Sequence, residues 1–397
     1  MGFPLPDLVI VGAGLGGLAA AWDAARFLPD YKIKVIGDER PYVRHKLRVA
    51  VVGKDISIST KHIENLGVEF VWDKVTKIRR EQREVVLESG EKLNYDHLIL
   101  ATGSQPSRPK SIEGIEKAMG FRRLEDAQRI REEKPSRVAI IGASFVALHV
   151  ADSALAVGAE PVIIVRSRLV RKSLEPELSQ KLEERLKELG VEFVHAKPKS
   201  VKDNAVEADG EVIEADLIVT ATGVNPDIRL AKEAGLELIW DWAVKVDEQG
   251  RTSDPRIFAI GDVANCYCPV TGKPDYFGIG TVATLMAYNA VKAIQGSKAV
   301  VKTPAYIKDA FMGGNFVFRA GLVSPQAEKA GFNVERIDVS GTEYGDHAYI
   351  VYEKETRRLI GFSSVSNRDI GSKAIELEKA IRLKRKVDDV LPSDIGR

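Results

Sequence analysis

The residues of this 397-residue chain that could do chemistry fall into three sets. The first is a group of glycines: Gly12, Gly14 and Gly17 in "DLVIVGAGLGGLAAAWDAARF" precede an Ala-rich helical stretch. A helix that starts on glycines leaves its first N–H groups and its positive dipole end open, which suits a phosphate or pyrophosphate. The second set is charged. Asp38 and Glu39 close "KIKVIGDE", and either can accept a bond from a ribose hydroxyl. Arg166 and Arg168 instead follow "PVIIV", where a guanidinium accommodates a ribose 2′-phosphate. The third set comprises groups that could move protons or electron pairs: Cys266, Cys268 and the six histidines, His45, His62, His97, His149, His195 and His347. The histidines have no metal-ligand spacing, so no metal is expected, and no Ser-His-Asp arrangement sits on a nucleophile elbow.

These groups need elements to place them. The apolar run Leu8 to Val11 directly before Gly12 predicts strand, tight turn and helix, the helix ending near Pro29, with Leu15 and Gly16 completing the turn. Gly12 allows the sharp turn, Gly14 lets backbone approach a pyrophosphate, and Gly17 lets the helix pack close to the strand. The unit recurs in "VAIIGASFVALHVA", where Val138 to Ile141 reads as a strand and a helix runs through Ala156 with Gly158 as its stop. Gly142 again opens the turn, but Ser144 and Ala147 stand in place of the second and third glycines, with Phe145 and Val146 between them. Ala keeps helix packing close, and the Ser144 hydroxyl could itself donate to a phosphate oxygen. This stretch is therefore either a nucleotide site or a nucleotide-free structural unit. The arginines after the next strand favour the former and point to NADP, although Arg171 and Lys172 make that loop basic in any case.

Composition narrows the partners. The 58 Lys and Arg nearly cancel the 57 Asp and Glu, which removes the electrostatic footprint of a nucleic-acid binder. The length favours two or three domains. No apolar run reaches the roughly 18 residues of a membrane span. Two cysteines make no disulfide framework and no charged, apolar leader precedes Asp7, so a cytoplasmic location is expected.

Three further segments tie the halves together. "YDHLILATGSQP" (Tyr95 to Pro106) and "ADLIVTATGVNPD" (Ala215 to Asp227) are matching apolar strands closing on Ala-Thr-Gly, and "DPRIFAIGDVAN" (Asp254 to Asn265) closes on Gly261-Asp262. With these in order, the chain resembles the two-dinucleotide-binding-domain flavoproteins, the pyridine nucleotide-disulfide oxidoreductase superfamily, over essentially its whole length. The resemblance implies an α/β fold with two Rossmann-like domains and a C-terminal α+β interface domain. FAD would be bound by residues 1–108 and 246–303, NAD(P)H by 109–245, and residues 304–397 would build a homodimer. It further implies that FAD is held by Gly12, Gly14, Leu15, Gly16, Gly17, Asp38 or Glu39, Arg44, Lys46, Val75 and the Ala101-Thr102-Gly103 turn. Asp262 of Gly261-Asp262 would bond the ribityl chain, and the amides of Gly280 and Thr281 would face the flavin pyrimidine. The nicotinamide coenzyme, NADPH with NADH as the other possibility, would be held by Gly142, Ser144, Phe145, Val146, Arg166, Arg168 and the Ala221-Thr222-Gly223 turn.

Departures from the family narrow the chemistry. The stretch where relatives carry a redox cysteine reads "ERPYVRHKLRVAVVG" and has none, and the C-terminal "DDVLPSDIGR" lacks the His-Glu pair of glutathione-reductase-like members. Without a thiolate there, a covalent sulfur relay at the flavin is unavailable, and Cys266 and Cys268 read as structural. "PYVRHKL" resembles the PYxRxxL segment of the ferredoxin and rubredoxin reductase branch through Arg44 and Leu47. The lysine and glutamate that this branch pairs near its flavin are here Val49 and His149, and Lys46 could supply the lost cation. His149 either lines the nicotinamide pocket or is a helix-face histidine with a satisfied hydrogen bond. His149 and Lys46 are thus the catalytic candidates in an FAD-dependent NAD(P)H oxidoreductase that hands electrons to a small iron-sulfur protein, dioxygen or a quinone. The alternatives are a non-catalytic FAD- and nucleotide-binding protein or a quinone reductase like the type II NADH dehydrogenases.

Overall fold

In this computed structural model, residues 5–305 and 308–391 are described, so residues 392–397 at the end of "DDVLPSDIGR" lie outside the described residues. Each glycine turn joins a strand to a helix as the apolar runs predict: β1 (Asp7–Val11) leads into α1 (Leu15–Phe27) and on to β2 (Lys32–Ile36). After the short α2 (Leu47–Val51) come β3 (Glu69–Val71) and β4 (His97–Leu100). The second turn joins β5 (Arg137–Ile141) to α3 (Phe145–Ala156) and β6 (Glu160–Ile164), followed by α4 (Pro176–Glu188), β7 (Glu192–Val194) and β8 (Leu217–Thr220). Further on are β9 (Ile257–Ala259) and α5 (Gly280–Ile294). The C-terminal part holds β10 (Lys308–Met312), β11 (Asn315–Gly321), β12 (Val334–Asp338), β13 (His347–Glu353), β14 (Leu359–Ser366) and α6 (Gly371–Arg382).

The chain divides into two compact units. One comprises the chain through Val43, Ser57–Gln105 and Asn225–Thr303. Its parallel sheet has the order β9-β4-β1-β2-β3. Leu8, Val9 and Ile10 of its central strand are wholly buried, because a parallel sheet carries cover on both faces. A three-stranded antiparallel sheet, Val75–Arg79, Glu84–Leu87 and Lys92–Asn94, is inserted before β4. Small residues let α1 and α5 lie close together: a Cβ placed on Gly16 would stand 3.5 Å from the Cβ of Ala283, and Ala283 also lies against the turn at Gly261, where a Cβ would stand 3.1 Å from it.

The other unit comprises Arg44–Ile56, Pro106–Val224 and the chain from Pro304 onward. Its parallel sheet, β7-β6-β5-β8, is smaller but built alike, with Ala139, Ile140 and Ile141 wholly buried and its own three-stranded antiparallel sheet inserted before β8. The C-terminal sheet is antiparallel in the order β10-β11-β14-β13-β12. All of β14 is buried, since both α6 and α4 pack on it. The two Rossmann-like halves with an α+β C-terminal part are the α/β fold expected from the sequence. The final helix shifts at both ends: the amphipathic pattern predicts Lys373 to Arg385, but α6 begins at Gly371 and ends at Arg382. Lys384 takes a left-handed φ of +57°, which turns the chain so that the Arg385 carbonyl accepts from the Leu359 N–H at the start of β14.

Candidate functional site

At the first turn, two glycines are demanded by the protein itself. Gly12 has φ +112°, and a Cβ there would stand 2.3 Å from the Ala101 carbonyl oxygen; a Cβ on Gly17 would stand 1.8 Å from that of Gly12. Gly14 differs. Its φ is −72° and a Cβ would meet no protein atom within 4 Å, so neither backbone strain nor packing requires glycine there. Gly14 is also the N-cap of α1 and no side chain caps that helix. A position open to solvent beside an uncapped N-terminus is the cradle that a bound pyrophosphate needs, and a side chain at Gly14 would fill it. The group implied by the resemblance, FAD, therefore fits this turn.

The surroundings support the same ligand. The start of α5 lies beside the start of α1, since a Cβ on Gly280 would stand 2.8 Å from the Leu15 Cδ2; Gly280 and Thr281 are exposed, and α5 has no side-chain cap either. Two positive dipole ends thus face one region. Asp262 is fixed there by the Ser104 hydroxyl, which donates to its carboxylate at 2.8 Å, and by Tyr276, whose hydroxyl donates to its carbonyl at 3.0 Å. A small cleft lined by Gly261, Asp262, Cys266, Phe277, Gly278 and Met286 opens beside it. At the end of β4, Thr102 donates its hydroxyl to the Asp227 carbonyl at 2.9 Å, and Gly103 takes φ +73°. Asp38, after β2, is exposed; Glu39 is half-buried and accepts from the Tyr42 hydroxyl at 3.3 Å. Val75 is buried. Cys266 and Cys268 are free and buried, and burial pushes the Cys266 thiol well above its usual range, opposite to what a redox thiolate requires.

The second turn keeps the fold and changes the ligand side. Gly142 has φ +109°, with the Ala221 carbonyl oxygen 2.6 Å from where a Cβ would be, and Ala147 is wholly buried where the third glycine would stand. Ser144 occupies the N-cap of α3. Its Oγ accepts from the Val146 N–H at 3.2 Å and donates to the Ala221 carbonyl at 2.8 Å. The hydroxyl's one proton is therefore used inside the turn and not offered to a phosphate, and one helix N–H is taken with it. The two arginines also part company. Arg166 is exposed and makes no hydrogen bond or ion pair with a described residue. Arg168 is tied into its own loop, donating to the Leu174 carbonyl at 2.7 Å, the Ser179 hydroxyl at 2.9 Å and the Arg171 carbonyl at 3.1 Å. Thr222 donates to the Ser107 carbonyl at 3.0 Å and Gly223 takes φ +122°; Phe145 follows Ser144 as the first residue of α3.

Within the same unit, α2, α3 and β10 bring the proton-handling candidates together. The Nδ1 of His149 is enclosed without a hydrogen-bond partner, so the satisfied-bond reading fails for that atom. Burial, with the nearby charges of Arg48 and His45 outweighing the opposing pull of Asp152, lowers its pKa to about 4, and the ring is neutral at physiological pH. Lys46 is exposed in a 3₁₀ turn, Arg44–Lys46. Arg48 lies 2.6 Å from Asp152, with its guanidinium 5.2 Å from the centre of the Phe311 ring. The Gly313 N–H also donates to Asp152 at 3.2 Å. An ion pair between α2 and α3 thus exists, at positions 48 and 152 and not at 49 and 149. Sequence reasoning missed both residues; the available signal was Asp152, one turn beyond His149 on the same helix face. Among the described residues, no group of three or more His, Cys, Asp or Glu could hold a metal ion, and no helix is long and apolar enough to cross a membrane.

Known proteins resemble this arrangement. A family profile described as pyridine nucleotide-disulphide oxidoreductase matches residues 6–293. The chain is 29% identical to an NADH oxidase of Methanocaldococcus jannaschii over 73% of this chain and 70% of that protein. It is 31% identical to a rubredoxin-NAD(+) reductase of Pseudomonas putida over 65% of this chain and 71% of that protein. Among solved structures, an NAD-dependent persulfide reductase from A. fulgidus superposes with a TM-score of 0.89 at 27% identity, covering 96% of this chain and 78% of that one.

Proposed function

This chain belongs to the pyridine nucleotide-disulphide oxidoreductase family, and we propose that within it the protein is an FAD-dependent NADPH oxidoreductase that works without a redox disulfide. When bound, FAD supplies a two-electron centre that accepts hydride from a nicotinamide and passes electrons on. The chain's own residues prepare that chemistry. Gly14 admits the pyrophosphate to the N–H groups of α1, and Asp262, oriented by Ser104, accepts from a ribityl hydroxyl. The start of α5 at Gly280 and Thr281 favours negative charge on the cofactor's ring. Arg166, exposed and unpaired after β6, meets the 2′-phosphate of NADPH. Neutral His149, half-buried on α3 with its Nδ1 enclosed, presents no charge to a group brought against that helix.

With no thiolate to relay electrons, the acceptor takes them directly, which selects a small iron-sulfur protein, dioxygen or a quinone over a disulfide. One relative is named rubredoxin-NAD(+) reductase, with a small electron-carrier protein in its name, and another is named NADH oxidase. A cytoplasmic homodimer completes the proposal. The observation that carries it is the open, uncapped position at Gly14. The purified protein is expected to be yellow or to take up FAD on reconstitution; a protein that stays colourless after incubation with FAD ends this reading. The capped second turn supports one alternative, a protein that binds FAD and nucleotide without turnover. That alternative predicts FAD uptake with no reduction by NADPH.

A further inference from the structure

Val170 is a β-branched residue held at φ +48°, in the left-handed region where such side chains are strained. It is buried, and its N–H donates to the Ala143 carbonyl at 2.7 Å, so this strained residue fastens the loop after β6 onto the second glycine turn. Strain of this kind persists only where the surroundings over-determine it. Part of the hold is local, through Arg168. The rest comes from the C-terminal sheet, nearly 150 residues further along the chain.

Arg319, on β11, is 1% exposed. Its Nη1 donates to the Lys172 carbonyl and, at 3.5 Å, to the Ser173 hydroxyl, while Nε donates to the Gly321 carbonyl at 2.9 Å and Nη2 to Gln326 Oε1 at 2.5 Å. Next in sequence, Glu175 is fully buried and accepts from the Ser324 N–H at 2.7 Å, the Ser324 hydroxyl at 3.1 Å and Arg336 at 3.3 Å. Two buried charges therefore bind residues 172–175 to the sheet. Burying charge is unfavourable unless every donor and acceptor is met, and an apolar contact would join sheet and loop without that penalty. What a guanidinium fork adds is direction: it fixes where the Lys172 carbonyl points, and so the backbone path from Lys172 back to Val170 and Arg166.

We propose that Arg319 is a positioning residue for the nicotinamide coenzyme: by anchoring Lys172 and Ser173 it keeps Val170 on the Ala143 carbonyl and sets the loop so that Arg166 meets the 2′-phosphate of NADPH. This rests on the reading of the second turn as the coenzyme site. Arg319 itself touches no coenzyme and acts through the loop.

Anaerobic isothermal titration of FAD-loaded, dithionite-reduced protein with NADPH, where the flavin can take no further hydride, beside steady-state kinetics, tests it. Arg319→Met is expected to raise the Kd and KM for NADPH about tenfold and to shrink the preference over NADH, with kcat and FAD content unchanged. Gln326→Leu, which frees one arm of the fork and leaves the loop's own residues intact, should give a smaller rise of roughly threefold, and it serves if Arg319→Met does not fold. Adding Val170→Gly to Arg319→Met should recover much of the lost affinity, because glycine takes a positive φ without a side-chain penalty. A purely structural role would not produce that rescue. A folded Arg319→Met or Gln326→Leu variant whose NADPH Kd stays within twofold of the unmodified protein's overturns the proposal. Failure of the unmodified protein to bind NADPH or NADH overturns the coenzyme reading and this inference together, and it shows before any variant is made.

Discussion

The two glycine turns share a backbone and differ in what they leave unfilled. Gly12 and Gly142 take nearly the same φ, +112° and +109°, and each lies against the carbonyl of the Ala-Thr-Gly turn that follows its own sheet, Ala101 or Ala221. The first turn then stops at hydrogen: Gly14 carries no side chain, nothing caps α1, and the space beyond is open. The second turn supplies its own ligand, for Ser144 caps α3 and donates back to Ala221. A cap stabilises the empty helix by about 1 kcal/mol and competes with an incoming phosphate for the same N–H. The difference suits two kinds of guest. A resident cofactor benefits from a turn that is incomplete without it, and a coenzyme that must leave each cycle benefits from one already satisfied when empty.

The comparison can be broken most sharply at Gly14. A Cβ at Gly14 meets no protein atom beyond its chain neighbours within 4 Å, so Gly14→Glu adds a side chain that fills the cradle and puts a negative charge against the pyrophosphate. FAD affinity should fall by about a hundredfold or more, read by flavin content after dialysis, with far-ultraviolet circular dichroism unchanged. On the coenzyme side, Arg166→Glu should reverse the preference for NADPH over NADH by ten- to roughly a hundredfold in kcat/KM, whereas Arg168→Ala, which cuts bonds within the loop, should weaken both coenzymes alike. Equal use of both coenzymes by the unmodified protein, unchanged by Arg166→Glu, removes the 2′-phosphate role.

Stability against pH probes the helix that the second turn starts. The folded pKa of His149, about 4, lies below the 6.5 of an unfolded histidine, so on acidification the unfolded state takes the proton first. This group's contribution to stability is therefore full above about pH 7 and is lost as pH falls towards 4, amounting to roughly 2–3 kcal/mol by pH 4.5. His149→Leu should remove that share of the slope in urea unfolding between pH 7.5 and 4.5; an unchanged slope would mean that His149 is solvated and charges normally. The smallest effect is expected where the second turn is converted towards the first. Ser144→Gly should change stability by only a few tenths of a kcal/mol and tighten NADPH binding by roughly threefold, since the Val146 N–H becomes free. Weaker binding would show that the serine assists the coenzyme and does not compete with it.

Both strand-turn-helix units could be read from the sequence because their information is local: an apolar run, then glycines at fixed offsets, then a helical pattern. What could not be read was the use of each polar atom. Arg166 and Arg168 look equivalent two residues apart, yet one faces solvent and the other bends back to Leu174 and Ser179. Ser144 at a helix start was a capping signal in its own right, and the expectation that its proton serves a phosphate overlooked the Ala221 carbonyl. The pair Arg48 and Asp152, separated by 104 residues, depends on how α2 meets α3, which no local pattern encodes. The hold of Arg319 on Lys172, in the loop after β6, is a longer-range case of the same kind.

The unequal turns make one central claim, that a resident FAD at the first is reduced by a coenzyme exchanging at the second, and anaerobic mixing of the purified, FAD-containing protein with NADPH in a stopped-flow spectrophotometer tests it most directly. The account predicts that the flavin's visible absorbance bleaches within seconds, that one equivalent of NADPH suffices, and that NADH does the same more slowly at equal low concentration. A protein that holds FAD but keeps its full absorbance under excess NADPH and excess NADH would contradict it.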